Sequence, residues 1–207
     1  MPNETISIPS YNVADVQDTA GLLDFFQKNI FQKLEKVAPA QVISYDRNIN
    51  RAVVQVLNYS VTSTGDKAQR KPLEDIPVSV FGGGGFCLGF PIKAGDIGIL
   101  ISCDCDISVW KKLLSVFTPA TEQKHRYKNS IFFPLVINGF TLSANDTNAV
   151  VLSSVDGTSS IAVTNTSVSI KTSNIDLTGT LTINGQPYLS HTHTNGHDGA
   201  PTGGVIT

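Results

Sequence analysis

The sequence predicts a mainly β protein in three parts: a small barrel head with an N-terminal helix, a slender shaft wound from three chains, and a compact apex. Three observations predict it. Five or so short runs rich in β-branched and aromatic residues fall between Gln41 and Val136. Beyond Thr141, apolar residues come in pairs spaced by two, and the pairs recur every six or seven residues. The last pair leads into His191-Thr192-His193 and a glycine-rich end.

A chain of 207 residues suffices for one ordinary domain plus an accessory piece. Hydrophobic residues make up 41%, enough for a core, but only 15% are charged, against about 25% in a typical soluble domain. Ser, Thr, Asn and Gly must keep this surface wet. A net charge of −2 and a pI near 6.0 speak against a polyanion as partner, so no nucleic acid is expected. Met1 to Ser10 is polar, so no signal peptide is expected. No apolar run reaches the ~18 residues of a membrane-spanning helix. Contact with a membrane would be mechanical or peripheral.

The first element is a helix over Asp15–Val37. Leu23, Phe26, Ile30, Leu34 and Val37 recur at steps of three and four, which places them on one face, and Phe25 and Phe31 widen it. Gly21 weakens the start and Pro39 closes the end. So phenylalanine-rich a face packs either on its own domain or on a neighbouring chain.

The head follows. Val42–Tyr45, Ala52–Tyr59, Ile76–Phe81, Ile97–Ser102 and Ile131–Ile137 read as strands, Ser63–Lys71 as a polar turn region, and Asp106–Phe117 as the place of a short helix around Trp110 and Leu113. Five short strands in one stretch suggest a small, OB-fold-like barrel. Gly82 to Gly85 lack the Gly-Lys-Ser/Thr ending of a phosphate loop and read as a tight hairpin connection. Cys87, Cys103 and Cys105 are odd in number and poorly spaced for disulfides, and are expected to be buried free thiols.

The shaft is read from Ile161/Val163, Val168/Ile170, Ile175/Leu177 and Leu181/Ile183. Residues two apart lie about 200° apart on a helix but on one face of a strand, so only strands bury both members of a pair. Turn formers separate the pairs: Asn165–Thr166, Thr172–Asn174 and Thr178–Gly179. One such chain cannot enclose a core, and its strand edges stay unpaired. Three chains around a common axis solve both problems; two-fold or stacked arrangements address the same need.

His191 and His193 are the candidate metal ligands. In an extended strand they share a face with α-carbons ~6.6 Å apart. Around a three-fold axis they supply six imidazoles in two layers, an octahedral set. Zinc prefers four ligands, so six nitrogens favour iron, one ion per trimer on the axis, or nickel acquired in purification. With no open position the site would be structural. The competing reading is an exposed polar tail. His197, in a turn-rich stretch, is exposed or supports the ligands from outside. There is no Gly-x-Ser-x-Gly, no His-Glu-x-x-His and no marked carboxylate pair, so no enzyme is expected. The expected divisions are an N-terminal extension and helix over 1–38, an OB-fold-like domain over 39–138, a triple-stranded β-helix over 139–188 and a metal-binding tip over 189–207.

Ile76-Pro77-Val78-Ser79-Val80-Phe81, the glycines, and Phe90-Pro91-Ile92-Lys93-Ala94-Gly95-Asp96-Ile97-Gly98-Ile99-Leu100 resemble the N-terminal domain of the central-spike, or membrane-puncturing, baseplate proteins of contractile-tailed phages. Cys105-Asp106-Ile107-Ser108-Val109-Trp110 and Phe132-Phe133-Pro134 continue the resemblance, and His191-Thr192-His193 with its glycine-rich cap is similar to the tip of the same proteins. The resemblance spans roughly residues 40–207. It implies an OB-fold head, an intertwined trimeric β-helix and an apex iron held by six histidines. It also implies tail hub or tail tube partners, a place at the baseplate tip of the virion, and passage through the bacterial outer membrane into the periplasm on injection. Lys124-His125-Arg126-Tyr127-Lys128-Asn129 is a loose version of the family's Arg/His/Asp-containing stretch, and the N-terminal helix has no counterpart in it. Two other readings use the same residues: a single-strand-binding OB module, which would need a basic groove with stacking aromatics, and a trimeric tail-fibre-type receptor or glycan-binding tip, which would need exposed aromatics near Tyr188.

Overall fold

The computed structural model describes residues 19–61, 66–137, 139–141 and 147–188. The chain divides into two compact units, 1–138 and 139–207.

In the first unit, helix α1 spans Thr19–Lys33. Leu23, Phe26 and Ile30 form the predicted stripe and remain exposed. The stripe does not extend to Val37, because that residue opens strand β1, Val37–Asp46. The expectation that Pro39 ends the helix is therefore corrected: Pro39 lies inside β1, opposite Ile99. Its carbonyl accepts from Leu57 N–H at 2.9 Å, on the side away from Ile99. Its missing N–H thus falls just past the β1–β2 ladder, where it costs little.

Strands β2 (Arg51–Val56), β3 (Ser60–Val61), β4 (Lys67–Ala68) and β5 (Leu73–Pro77) follow. Then come β6 (Phe81–Gly83), β7 (Phe86–Leu88), β8 (Ile97–Ser102), the short helix α2 (Trp110–Leu113) and β9 (Ser130–Pro134). A five-stranded sheet runs in the order β5-β2-β1-β8-β9 with antiparallel neighbours. It curls until its two edges meet: Val78 bridges Phe132 in parallel, and Ser79 N–H donates to Phe132 O at 2.7 Å. The result is a curled half-barrel.

Alternation fills it. Ala38, Ala40 and Val42 of β1 and Ala52, Val54 and Val56 of β2 point inward, beside Ile76, Val78, Leu100, Tyr127 and Phe132. The small residues of β1 leave room for the fully buried Phe132 ring. Gly98 of β8 does the same: a Cβ there would meet Phe132 ring atoms at 2.5 Å and collide with Phe133 O.

Two irregularities shape the wall. Ile43 is an extra residue in β1, between the pairs Val42–Val54 and Ser44–Val53. β5 bulges opposite β2, and Asp75 there takes a left-handed conformation (φ +55°). Bulges re-aim side chains, and this one directs Asp75 to Arg51 Nε (3.2 Å) and Lys111 Nζ (3.5 Å). Lys111 also donates to the carbonyls of Asp75 (2.7 Å) and Lys128 (3.3 Å), pinning α2 to the barrel. Burial holds the Lys111 ammonium below its usual pKa, against the pull of Asp75.

The segment linking α1 to β1 is tied down as well. Glu35 takes Arg70 NH1 at 2.6 Å and Tyr127 N–H at 2.8 Å on its two carboxylate oxygens, and its own N–H donates to His125 O. The Arg70 guanidinium lies 5.2 Å from the centre of the Tyr127 ring, within cation–π range.

The second unit holds β10 (Val150–Ser153), β11 (Ser160–Val163) and β12 (Val168–Lys171), an antiparallel meander, then a small hairpin of β13 (Thr182–Ile183) and β14 (Gln186–Pro187).

Candidate functional site

The meander of the second unit forms because its strands are β-branched and its connections are turn formers. Between β10 and β11, Ser154 Oγ donates to Asp156 Oδ1 (2.6 Å), as do the N–H (3.1 Å) and hydroxyl (2.9 Å) of Thr158. Gly157 takes φ +70° at the corner. These donors, Ser154 first, lower the Asp156 pKa to about 2. Between β11 and β12, Thr164 Oγ1 accepts from Ser167 N–H (3.0 Å) around Asn165–Thr166, the predicted turn. Asn184 and Gly185, at φ +52° and +81°, join β13 to β14, the mirror-image turn that matches strand twist.

The registers place the apolar pairs. Val150 stands opposite Val163, and Leu152 opposite Ile161. Ile161 in turn stands opposite Ile170, and Val163 opposite Val168. Directly opposed residues share a face, so six apolar side chains fill one face of this sheet. The other carries Val151, Ser153, Ser160, Ala162, Ser169 and Lys171.

All six members of the apolar face are exposed, from 41% at Ile161 to 79% at Val150. Ile175, Leu177, Leu181 and Ile183 are exposed too. Covering the six would contribute roughly 1 kcal/mol each, since full burial of such a side chain is worth about 1.5–3 kcal/mol. That total rivals the 5–15 kcal/mol net stability of an ordinary domain. The face carries no nucleophile or acid/base pair; its chemistry is burial.

The head carries a second exposed apolar surface. β6 and β7 form a hairpin closed by Gly84 and Gly85, both at positive φ (+61° and +87°), as the tight connection predicted for the glycines. Phe81, Phe86 and Leu88 share its front and are 63%, 83% and 43% exposed. The sequence offered a signal for this surface, two phenylalanines flanking four glycines, but it was read only as a turn. Cys87 lies on the hairpin's back and is exposed, which corrects the expectation of a buried thiol. Cys103 and Cys105 are half-buried and free, and burial raises the Cys103 pKa.

His191, His193 and His197 lie outside the described residues. Among the described residues, no cluster of three or more His, Cys, Asp or Glu is placed to hold a metal. His125, in the basic stretch of the head, sits 3.2 Å from Asp104 Oδ1. That stretch serves packing: Tyr127 is in the core and Lys128 O receives Lys111. Asp106 is buried, and the Ser108 N–H and the Thr121 hydroxyl hold its carboxyl below the usual range.

The barrel strands run from Val37 to Pro134. Residues 38–134 match the family described as Phage protein Gp138 N-terminal domain. The match indicates a phage protein. It points to a structural role in a phage and to a virion-associated place. It covers the whole curled half-barrel and just under half of the chain. No curated protein matches the chain.

Proposed function

We propose that this protein is the spike at the tip of a contractile tail tube, a non-catalytic homotrimer that pierces the bacterial outer membrane during injection. The observation that carries the reading is the exposed six-residue apolar face of β10–β12, attached to a phage-type head whose own core is complete. A face of that kind needs cover, and two further copies of the same chain supply it with matched chemistry. Three such faces turned to one axis make a narrow, dry, stiff shaft, as mechanical penetration requires. The head is read as an OB-type barrel, since five strands whose outer pair meets form a partly open barrel. It would seat on tail hub or tail tube proteins.

His191 and His193 would hold one iron ion on the three-fold axis. The donor chemistry suits it: two imidazoles per chain, on three chains, would offer six nitrogens. Bound there, the ion would cross-link three chain ends. An ion that binds only the folded trimer would add to its stability.

Solution mass and elemental content test the reading together, on protein purified without nickel resin. A trimer with one iron per three chains, lost on replacing His191 and His193 by alanine while the trimer persists, is expected. A monomer would sink the spike. A metal-free trimer would return the tip to the receptor- or glycan-binding reading.

A further inference from the structure

We propose that the β6–β7 hairpin is an arm that locks neighbouring heads together: Phe86 of one copy seats in the groove at the base of the same hairpin on the next copy. The inference rests on the trimer reading above and adds an interface to it in the head.

The groove measures about 280 Å³ and lies between the hairpin and the barrel mouth, with Tyr45, Val78, Cys87, Phe90, Ile92 and Pro134 among its walls. Two of its polar side chains are already engaged. The Tyr45 hydroxyl donates to Asn50 Oδ1 at 2.9 Å, and Asn50 Nδ2 donates to Val78 O at 2.8 Å. What remains for a visitor is a mainly apolar and aromatic wall, with the Ser79 hydroxyl, the Cys87 thiol and one cation, Arg47, among its lining. An aromatic ring suits the wall and the cation, through burial and through cation–π attraction.

The hairpin supplies such a ring but cannot deliver it to its own groove. Cys87 lines the groove from the back of the hairpin. Phe86 is its neighbour in the strand and points to the opposite face. Knob and hole therefore sit on opposite sides of one element. That is the geometry of a head-to-tail contact, which closes into a ring when the rotation allows.

Charge agrees. No residue between Asp75 and Lys93 is charged, so the hairpin brings no ion of its own, and the one cation of the groove, Arg47, is left to meet an aromatic ring. Area is modest. Two phenylalanines at about 150–250 Å² each, with Leu88, give several hundred Å² on the donating side. In a ring every copy gives at one interface and receives at another, so each contact is smaller than the roughly 800 Å² per partner of a standard interface and adds to the cover that the proposed shaft provides. A lipid surface would also accept Phe81 and Phe86, but it gives no role to a concave aromatic groove on the opposite face.

Cysteine chemistry on the full-length protein tests this. Phe86→Cys places a thiol where it meets Cys87 of the next copy, so mild oxidation yields chain-to-chain disulfides, seen as a dimer and trimer ladder on a non-reducing gel. The ladder disappears when Cys87→Ser is added. In the otherwise wild-type trimer Cys87 is shielded from a soluble maleimide, and Phe86→Ser makes its labelling about tenfold faster, the effect of losing one ordinary contact. A wild-type protein that is trimeric by light scattering, yet shows neither ladder nor shielding, overturns the arm and leaves the trimer. If that trimer floats with phosphatidylethanolamine–phosphatidylglycerol vesicles and Phe86→Ser does not, the hairpin is a membrane contact and the proposal fails. A monomeric wild-type protein removes both readings.

Discussion

Ile161 stands opposite Leu152 on one side and Ile170 on the other, at the centre of a sheet face that is apolar at every position. A charge at that centre is desolvated as soon as the face is covered, and it has no counter-ion there. Ile161→Asp is therefore expected to abolish assembly. On the proposed trimer, light scattering should report one third of the wild-type mass. The thermal transition of the head should persist, because all of its core residues belong to the first unit.

Glu35 joins parts of the head that are distant in sequence: Arg70 on one oxygen and the Tyr127 N–H on the other. Both side chains of the ion pair are mostly buried, at 18% and 28% exposure. Glu35→Ala leaves a guanidinium and an amide without their acceptor. The expected loss is about 1.5–3 kcal/mol, the range for hydrogen bonds to charged groups. The midpoint of urea unfolding should fall with an unchanged slope, and Arg70→Ala together with Glu35→Ala should cost less than the two single losses combined.

Gly98 is required by space. Its φ is ordinary, but a methyl group would strike Phe133 O and the Phe132 ring. Gly98→Ala is expected to cost at least the roughly 1–3 kcal/mol typical of overpacking. Phe132→Ala opens a cavity at the same place and should cost about 3–5 kcal/mol. Chemical denaturation of the head, followed through Trp110, measures both.

Asp156 gives the β10–β11 turn an acid limit. Hydrogen bonds from Ser154 and Thr158 lower its carboxyl pKa from the ordinary 3.8 to about 2. A depressed folded-state pKa contributes stability that is full above the unfolded value and fades as pH falls through the folded one. Wild type should therefore lose this contribution between about pH 4 and pH 2. Asp156→Asn should be less stable at pH 7 and converge on wild type near pH 2, as amide exchange of Thr158 and Ser159 would show.

The face and the β11–β12 turn of the second unit were legible because their code is local. A period of two gave the shared face and the turn formers gave the corners, but not the pairing: the strand edges were expected to pair with neighbouring chains, whereas β10, β11 and β12 pair within one chain, and Ile175 and Leu177 lie outside any strand. Strand β8 was legible at both ends for the same local reason. Pro39 was misread because the spacing from Leu34 to Val37 continues a helical pattern, and proline more often ends an element than enters one. Which side of the ladder its missing N–H faces is a tertiary fact. The Glu35, Arg70 and Tyr127 cluster was not legible, since nothing local marks three residues so far apart as neighbours. The hairpin front was misjudged because the same glycines that announce a turn conceal what the turn presents.

The contact of Val78 with Phe132 has a consequence in time. Among the described residues it is the one parallel pairing in the head, and it ties the end of β5 to β9, the other outer strand of the sheet. Nothing nearby in sequence brings them together; four antiparallel ladders must first bend the sheet far enough. Loop closure is entropically costly before such distant contacts reward it, and chains dominated by them fold slowly. Closure is thus the last act of folding in the head and the first to be undone. Trimming Val78 should quicken unfolding and leave the rate of folding almost untouched.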